Sequence, residues 1–126
     1  MSQKNIFGTR LEVCSQSPMT GYFRNGCCET DPTDFGQHTI CALMTEDFLS
    51  FSKEAGNDLT TPRPELGFRG LRPGDRWCIC MQRWLDAYRA DRAPRVIPEA
   101  CHEGVLQSIP MEVLIANAHR DKPDFS

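Results

Sequence analysis

The clearest hydrophobic pattern in the chain lies in its second half and predicts an amphipathic helix. Four apolar side chains fall at positions i, i+3, i+4 and i+7, namely Met81, Trp84, Leu85 and Tyr88. A helix would place all four on one face, so this face should be buried. Pro94 follows and ends the segment.

Two further helices are predicted from their start and stop signals. Thr45 offers a hydroxyl cap before two acidic residues, and Gly56 stops the pattern after Ala55. Phe48, Phe51 or Ser52, and Ala55 should face inward in this helix. Pro110 opens a last helix, in which Met111, Leu114, Ile115 and Ala118 share one face.

Short apolar runs predict strands between these helices. Thr39–Met44 and Trp77–Cys80 have the composition of buried strands, and Arg10–Val13 and Val96–Ile97 are shorter candidates. Together the elements predict an α+β fold, with a small mixed or antiparallel sheet and three to four helices. The length of 126 residues fits a single domain. Its core should span about residues 5–118, followed by a frayed tail at 119–126.

Two long segments, 15–37 and 56–77, show no regular periodicity and contain many glycine and proline residues. We call them the first loop and the second loop. Long irregular connections in compact domains are often functional, and binding groups concentrate on loops held by a rigid scaffold. The sequence therefore predicts a site between the two loops.

The charge distribution indicates an anionic partner for this site. The net charge is −3, which argues against a nucleic-acid surface, yet residues 63–95 contain eight arginines against four acidic residues. The chain contains no apolar run long enough for a membrane span and begins without the pattern of a signal peptide. We therefore expect a cytoplasmic protein with no membrane partner.

The seven cysteines should be thiols in that compartment, because disulfides rarely persist in the cytosol. An odd number also cannot pair completely within one chain. The sequence thus predicts no disulfide framework and leaves buried thiols, metal ligands and reactive thiols as alternatives.

Several motifs together resemble a known family. They are TGYFRNGCC at 20–28, HTICA at 38–42, GNDLTTPRP at 56–64 and PGDRWCIC at 73–80. Their order and spacing resemble those of the bacterial family catalogued as domain of unknown function 2237, over about residues 5–118. One departure is Cys101, where the family pattern leads us to expect threonine. The resemblance implies the boundaries of the fold and the choice of loops, but no reaction.

A small anionic ligand is the interpretation that the sequence favours. Arginine binds carboxylate or phosphate through two parallel hydrogen bonds, and aromatic side chains supply a stacking wall. The candidate ligand-binding residues are Arg24, Arg69, Asp75, Trp77, Arg83 and His102.

A zinc- or cysteine-dependent enzyme is the second interpretation. Cys78 and Cys80 are two apart on a predicted strand, so both would leave the same face, and His38 and Cys28 could complete a zinc shell. No metal is favoured, because a C-x-C spacing alone is a weak signal. For thiol chemistry the candidate catalytic residues are Cys28, His38, and Asp58 or Asp75.

A non-catalytic interaction module is the third interpretation, and a homo-oligomer is left open. A flat surface would favour this third interpretation, whereas a deep pocket would favour the other two.

Overall fold

The computed structural model describes residues 3–119, and within that range it contains a two-stranded antiparallel sheet and three α-helices. The strands are β1, His38–Leu43, and β2, Arg76–Cys80. The α-helices are α1, Glu46–Glu54, α2, Met81–Arg89, and α3, Met111–Ala116. Short 3₁₀ helices lie at Pro64–Leu66, Pro98–Ala100 and Glu103–Gln107. The predicted α+β class is confirmed, while residues 120–126 of the predicted tail lie outside the described range.

The register of the sheet brings chemically active residues opposite one another. Cys41 in β1 is the partner of Cys78 in β2, and His38 is the partner of Cys80. The register is irregular between His38 and Ile40, so β1 bends at its first residues. Directly opposed residues in an antiparallel pair project to the same face. The sheet therefore aligns two pairs of potential reactants.

Other parts of the chain cover both outer edges of the sheet. On the side of β1, the N–H of Leu43 donates to the carbonyl of Arg95 at 2.9 Å. On the side of β2, the N–H of Cys78 donates to the hydroxyl of Thr20 at 2.9 Å. Thr20 is fully buried, so the first loop is seated against β2.

The predicted amphipathic helix forms as α2 and packs against both strands and α1. Trp84 is fully buried, and its indole N–H donates to the carbonyl of Pro94 at 3.0 Å. Tyr88 was predicted to be in the core and is instead 41% exposed. It lies in the last turn and stacks on the outer side of Trp84, while Ala87 takes the buried position.

Helix α1 begins at its predicted cap, where the Thr45 hydroxyl accepts the N–H of Phe48 at 3.0 Å. Phe48 and Ser52 are buried as expected. Ala55 was predicted to face inward, but it is exposed because the helix ends at Glu54 and Ala55 forms its C-cap.

The two shorter strand predictions are corrected by the structure. Arg10 forms only an isolated bridge with Lys4, because a turn built around the buried Asn5 precedes it. Val96 likewise forms isolated bridges, with Ala42 and Ala118, and extends no further. Across residues 3–119, none of the helices is long and apolar enough to cross a membrane.

The prediction that the chain has no disulfides is wrong. Cys14 is bonded to Cys41, and Cys28 is bonded to Cys78, with Cα atoms 5.7 Å and 5.3 Å apart. Both bonds join the first loop, or the segment leading into it, to the sheet. The odd cysteine count required only one unpaired thiol, and Cys27, Cys80 and Cys101 are free.

Candidate functional site

A pocket of about 300 Å³ opens where the two loops meet the sheet. Its size is at the lower end of the range of small-molecule sites. We call it the histidine pocket; its lining residues are Tyr22, Arg24, His38, Asn57, Leu59, Trp77, Cys78, Ile79 and Cys80. The first loop, the second loop and both strands all contribute to this wall.

His38 is held by a buried carboxylate. The side chain of Asp34 is completely buried, while that of His38 is 40% exposed. His38 Nδ1 lies 2.7 Å from Asp34 Oδ1, and the backbone N–H of His38 donates to Asp34 Oδ2 at 2.9 Å. The hydroxyl of Thr30 also donates to Asp34 Oδ2, at 3.0 Å.

These contacts determine the charge of Asp34 and the orientation of the imidazole. Burial raises the pKa of the Asp34 carboxyl, but hydrogen bonds from His38 and Thr30 outweigh it and leave the pKa below the usual range. Asp34 is therefore ionised at neutral pH, and His38 Nδ1 donates to it. Because Nδ1 is occupied, Nε2 is the nitrogen that remains for a ligand or a proton. The ring of Tyr22 stacks on His38, with centroids 6.2 Å apart.

Cys80 is the free thiol in the histidine pocket. It is half-buried, and it is the register partner of His38. This pair lies at the irregular end of the register, so it does not have the spacing of a regular cross-strand pair. The histidine pocket therefore contains a free thiol and an imidazole that is held by a buried carboxylate, which are the groups used to activate a sulfur nucleophile.

Arg24 and Trp77 also line the histidine pocket and contact each other. The guanidinium carbon of Arg24 lies 5.1 Å from the centroid of the Trp77 ring, and Arg24 Nη1 donates to the carbonyl of Gly21 at 2.9 Å. The loop can turn here because Gly21 has φ of 100°, and a Cβ at this position would lie 2.3 Å from the carbonyl oxygen of Cys27. Among residues 3–119, no carboxylate forms a salt bridge with Arg24.

A wider groove of about 590 Å³ adjoins the histidine pocket. We call it the arginine groove; its lining residues are Gln16, Ser17, Pro18, Met19, Arg24, Leu59, Leu66, Gly67, Phe68, Arg69 and Trp77. Arg24, Leu59 and Trp77 line both spaces. Arg69 forms a 3.0 Å ion pair with Asp75, which also accepts the N–H of Arg72.

The cysteine assignments need correction. Cys28 was a candidate nucleophile and zinc ligand, and Cys78 a candidate zinc ligand, but the two are bonded to each other. Cysteine sulfurs do cluster: those of Cys14, Cys28 and Cys78 all lie within 4.8 Å of one another. This buried cluster could hold a metal by its spacing, although it differs from the predicted set and two of its members form a disulfide.

Two other candidates, Asp58 and Arg83, have local structural partners. Asp58 is exposed and accepts hydrogen bonds from Thr60 and Thr61, which lower the pKa of its carboxyl. Arg83 donates to the carbonyl of Ala55 at 3.1 Å.

His102 caps a 3₁₀ helix. Its Nδ1 accepts the N–H of Gly104 at 2.9 Å, as its position after Cys101 suggests. The carboxylate that does meet His38 is Asp34, which sequence reasoning missed. The four-residue spacing in Asp34-Phe35-Gly36-Gln37-His38 does not reveal the contact by itself, because the segment is a turn and not a helix.

Comparison with known proteins identifies a family but no activity. The model of the family described as an uncharacterized protein conserved in bacteria, DUF2237, matches residues 4–118. A search of the curated proteins finds no match.

Proposed function

We propose that this chain, which belongs to the DUF2237 family of uncharacterized bacterial proteins, binds a small anionic molecule between its two loops. The observation that carries the proposal is Arg24. Its guanidinium lies at the boundary of the histidine pocket and the arginine groove without a carboxylate partner among residues 3–119.

The geometry of Arg24 supports recognition of carboxylate or phosphate. One guanidinium nitrogen is used by the Gly21 carbonyl, and the plane is supported by the Trp77 ring. The remaining N–H groups stay available, and a planar fork binds two oxygen atoms at once. Fixing the guanidinium before the ligand arrives reduces the entropy lost on binding.

The lining of the histidine pocket supports a small ligand with one flat or apolar part. Tyr22 and Trp77 offer ring faces, and Leu59 adds an apolar contact. His38 Nε2 would provide a second polar contact, opposite the one made by Arg24. Arg69 at the arginine groove would attract a longer anion, although its ion pair with Asp75 reduces its free charge.

Thermal unfolding with defined anions tests the proposal. Inorganic phosphate, succinate and citrate should each be compared with sodium chloride at equal ionic strength. A ligand at ten times its Kd stabilises the folded state by about 1.4 kcal/mol. For a domain of this size the Tm should then rise by roughly 4–7 °C.

Matched arginine variants locate the effect. Arg24→Lys keeps the charge but loses the fork, so it should reduce the Tm rise by at least half. Arg63→Lys is the control, because Arg63 is exposed and lines neither the histidine pocket nor the arginine groove. Equal responses of the two variants, or no response of the unmodified protein to any anion, would contradict the proposal.

A thiol-dependent enzyme is the second candidate, favoured by the register that sets Cys80 opposite His38. His38 would take the proton of the thiol, and the buried carboxylate of Asp34 would stabilise the resulting imidazolium. The sulfur would then attack an electrophilic atom of a ligand held by Arg24. Cys28 plays no part while it is bonded to Cys78.

The rate of alkylation of Cys80 by iodoacetamide tests this second candidate. Cys27 is an internal control, because burial and the nearby Glu29 raise the pKa of its thiol. Near neutral pH, Cys80 should react at least about ten times faster than Cys27, and His38→Gln should slow Cys80 several-fold without changing the rate of Cys27. Equal rates in the unmodified protein would exclude His38 as an activating base.

A further inference from the structure

The two disulfides form one group of sulfur atoms inside the core. Cys14, Cys28, Cys41 and Cys78 are each at most 3% exposed. The sulfurs of Cys14, Cys28 and Cys78 lie within 4.8 Å of one another, and that of Cys41 is bonded to Cys14. Four different parts of the chain therefore deliver four sulfurs to one place: the segment before the first loop, the first loop itself, β1 and β2.

This arrangement has a second chemical use beside cross-linking. Four thiolates arranged as a tetrahedron are a structural zinc shell, with Zn–S distances of about 2.3 Å and therefore S···S distances of about 3.8 Å. The Cys14 sulfur lies within 4.8 Å of the sulfurs of Cys28 and Cys78, while the bonded pair Cys28–Cys78 would have to move apart by about 1.7 Å to reach that value. Once the S–S bonds are broken, side-chain rotations that separate both pairs and bring the Cys41 sulfur toward the other three would complete the shell.

Burial makes zinc the natural partner of the reduced cluster. Four buried sulfurs cannot carry four negative charges without a counter-charge, so the reduced cluster without metal would hold four neutral thiols. Zinc supplies two positive charges and makes four bonds to sulfur, which leaves a net charge of −2 shared among the four sulfurs. It would keep the first loop fastened to the sheet, as the disulfides do.

We propose that Cys14, Cys28, Cys41 and Cys78 form a redox-dependent zinc site, with two disulfides in the oxidised state and one Zn²⁺ in the reduced state. Two equivalents of a dithiol reductant supply four electrons and four protons, break both S–S bonds and become two disulfides themselves. On zinc binding, four Zn–S bonds replace four S–H bonds, and four protons pass to solvent. Two equivalents of a disulfide oxidant remove the electrons again and release the ion.

The site is separate from the predicted one. Sequence reasoning grouped Cys28 and Cys78 with His38 and Cys80, whereas the cluster takes Cys14 and Cys41 in their place. Cys80 and Cys27 remain free thiols that neighbour the cluster in sequence. They therefore serve as controls in the same molecule.

The test uses the full chain, reduced by a phosphine without oxygen and titrated with Zn²⁺ or Co²⁺. We expect one equivalent of zinc per chain, with a Kd below about 1 μM by competition with a chromophoric chelator. Cobalt should give the visible absorption of a tetrahedral thiolate complex. Oxidised protein should bind less than a tenth of an equivalent.

Alkylation of the folded protein identifies the ligands without any substitution. Zinc should protect Cys14, Cys28, Cys41 and Cys78, while Cys27 and Cys80 react. A chelator should make the four reactive, because with neither metal nor disulfides nothing fastens the first loop over them. Cys101 should stay unreacted in both samples, because burial raises the pKa of its thiol to about 12.

Two variants test which cysteines are the zinc ligands. The double variant Cys14→Ser, Cys41→Ser removes one disulfide and two ligands, and zinc affinity should fall at least about a hundredfold. Cys27→Ser should leave the affinity unchanged. A reduced, folded protein that takes up no zinc, or uptake that protects Cys80 instead of Cys14, would overturn the proposal.

Discussion

At the scale of single residues, Asp34 determines what the site can do. Its carboxylate is completely buried, yet three hydrogen bonds from His38 and Thr30 keep it ionised. The price of burying a charge is offset only while those donors stay in place. Asp34 therefore orients His38 and at the same time ties the stability of the fold to pH.

We expect Asp34→Asn to lower the free energy of unfolding most at neutral pH. The pKa of Asp34 in the folded state lies below its ordinary value, so folding favours the carboxylate. This contribution is complete above the ordinary pKa and is lost as the pH falls through the folded pKa. Losing charged hydrogen bonds should cost about 1–3 kcal/mol at neutral pH, with a flatter dependence in acid.

Urea unfolding between about pH 2 and about pH 7 measures this effect. Asp31→Asn is the control, because Asp31 is exposed and asparagine can accept the same turn hydrogen bonds. If the two variants behaved alike across this range, Asp34 would have no special role in stability.

The residues of the site were only partly accessible from the sequence. His38, Cys80, Arg24 and Trp77, which the sequence suggested for different kinds of site, all line the histidine pocket. Asp34 was missed because its approach to His38 depends on a turn that includes Gln37 at φ of 49°. Such left-handed positions follow no hydrophobic pattern, so periodicity cannot reveal the contact.

At the scale of elements, α2 is the piece whose sequence pattern and packing agree most closely. We expect Trp84→Ala to reduce the free energy of unfolding by about 3–5 kcal/mol, because it empties a fully buried position and leaves the Pro94 carbonyl without its donor. Tyr88→Ala is the comparison, since Tyr88 is 41% exposed and loses mainly its stacking contact. Denaturant unfolding of both variants checks the order, and a loss below about 1 kcal/mol for Trp84→Ala would contradict it.

Mild acid should weaken the His102 cap of the 3₁₀ helix Glu103–Gln107 and so lower the stability of the protein. His102 Nδ1 accepts the N–H of Gly104, which requires an unprotonated nitrogen, and burial lowers the pKa of His102. The unfolded chain therefore takes up this proton at a higher pH than the folded protein does. Stability should fall as the pH drops below about 6.5, and the fall should end at the folded pKa.

His102→Asn tests this directly. Asparagine can accept at a helix start but does not titrate, so the variant should lose less stability than the unmodified protein between about pH 7.5 and about pH 5. The comparison uses urea midpoints at the two pH values. An unchanged slope would assign the acid sensitivity to other groups.

Elements with a long apolar pattern were predictable, and short ones were not. Strands β1 and β2 and all three α-helices were found from periodicity, caps and stop signals, with ends within a few residues. Arg10–Val13 and Val96–Ile97 failed as strands because two to four alternating residues do not determine a pairing partner. In both places an isolated bridge replaces the ladder.

At the scale of the whole molecule, the two disulfides decide how firmly the first loop is held. They close sequence separations of 27 and 50 residues. In the chain-entropy account, loops of these lengths contribute about 3.6 and about 4.1 kcal/mol. We therefore expect reduction in the presence of a chelator to remove most of the net stability, which is about 5–15 kcal/mol for typical domains.

Urea midpoints before and after reduction measure the loss. Protein alkylated only at Cys27 and Cys80 is the control, because these thiols are already free. A midpoint that does not move on reduction would show that hydrophobic packing alone holds the loop. That outcome would leave the anion proposal untouched, since it concerns the histidine pocket and not the cysteine cluster.

The cysteine pairing could not have been predicted from the sequence by the argument used. The cellular compartment and the number of cysteines indicate only how common disulfides are among proteins in general. Which cysteines pair depends on which sulfurs the fold brings together. Cys41 and Cys78 became neighbours only through the strand register, and the first loop then delivered Cys14 and Cys28 to them. These are long-range contacts that no local pattern encodes.

The hydrogen bond from Cys78 to Thr20 has a consequence for the solubility of the protein. It occupies a backbone donor on the outer edge of β2, the same residue that Cys28 holds covalently. If the first loop came away, β2 would present unpaired backbone groups beside the apolar run Trp77–Ile79. Open edges of this kind join with those of other molecules and lead to aggregation. The first loop therefore lines the pocket and also covers the edge of β2, which prevents folded chains from pairing edge to edge.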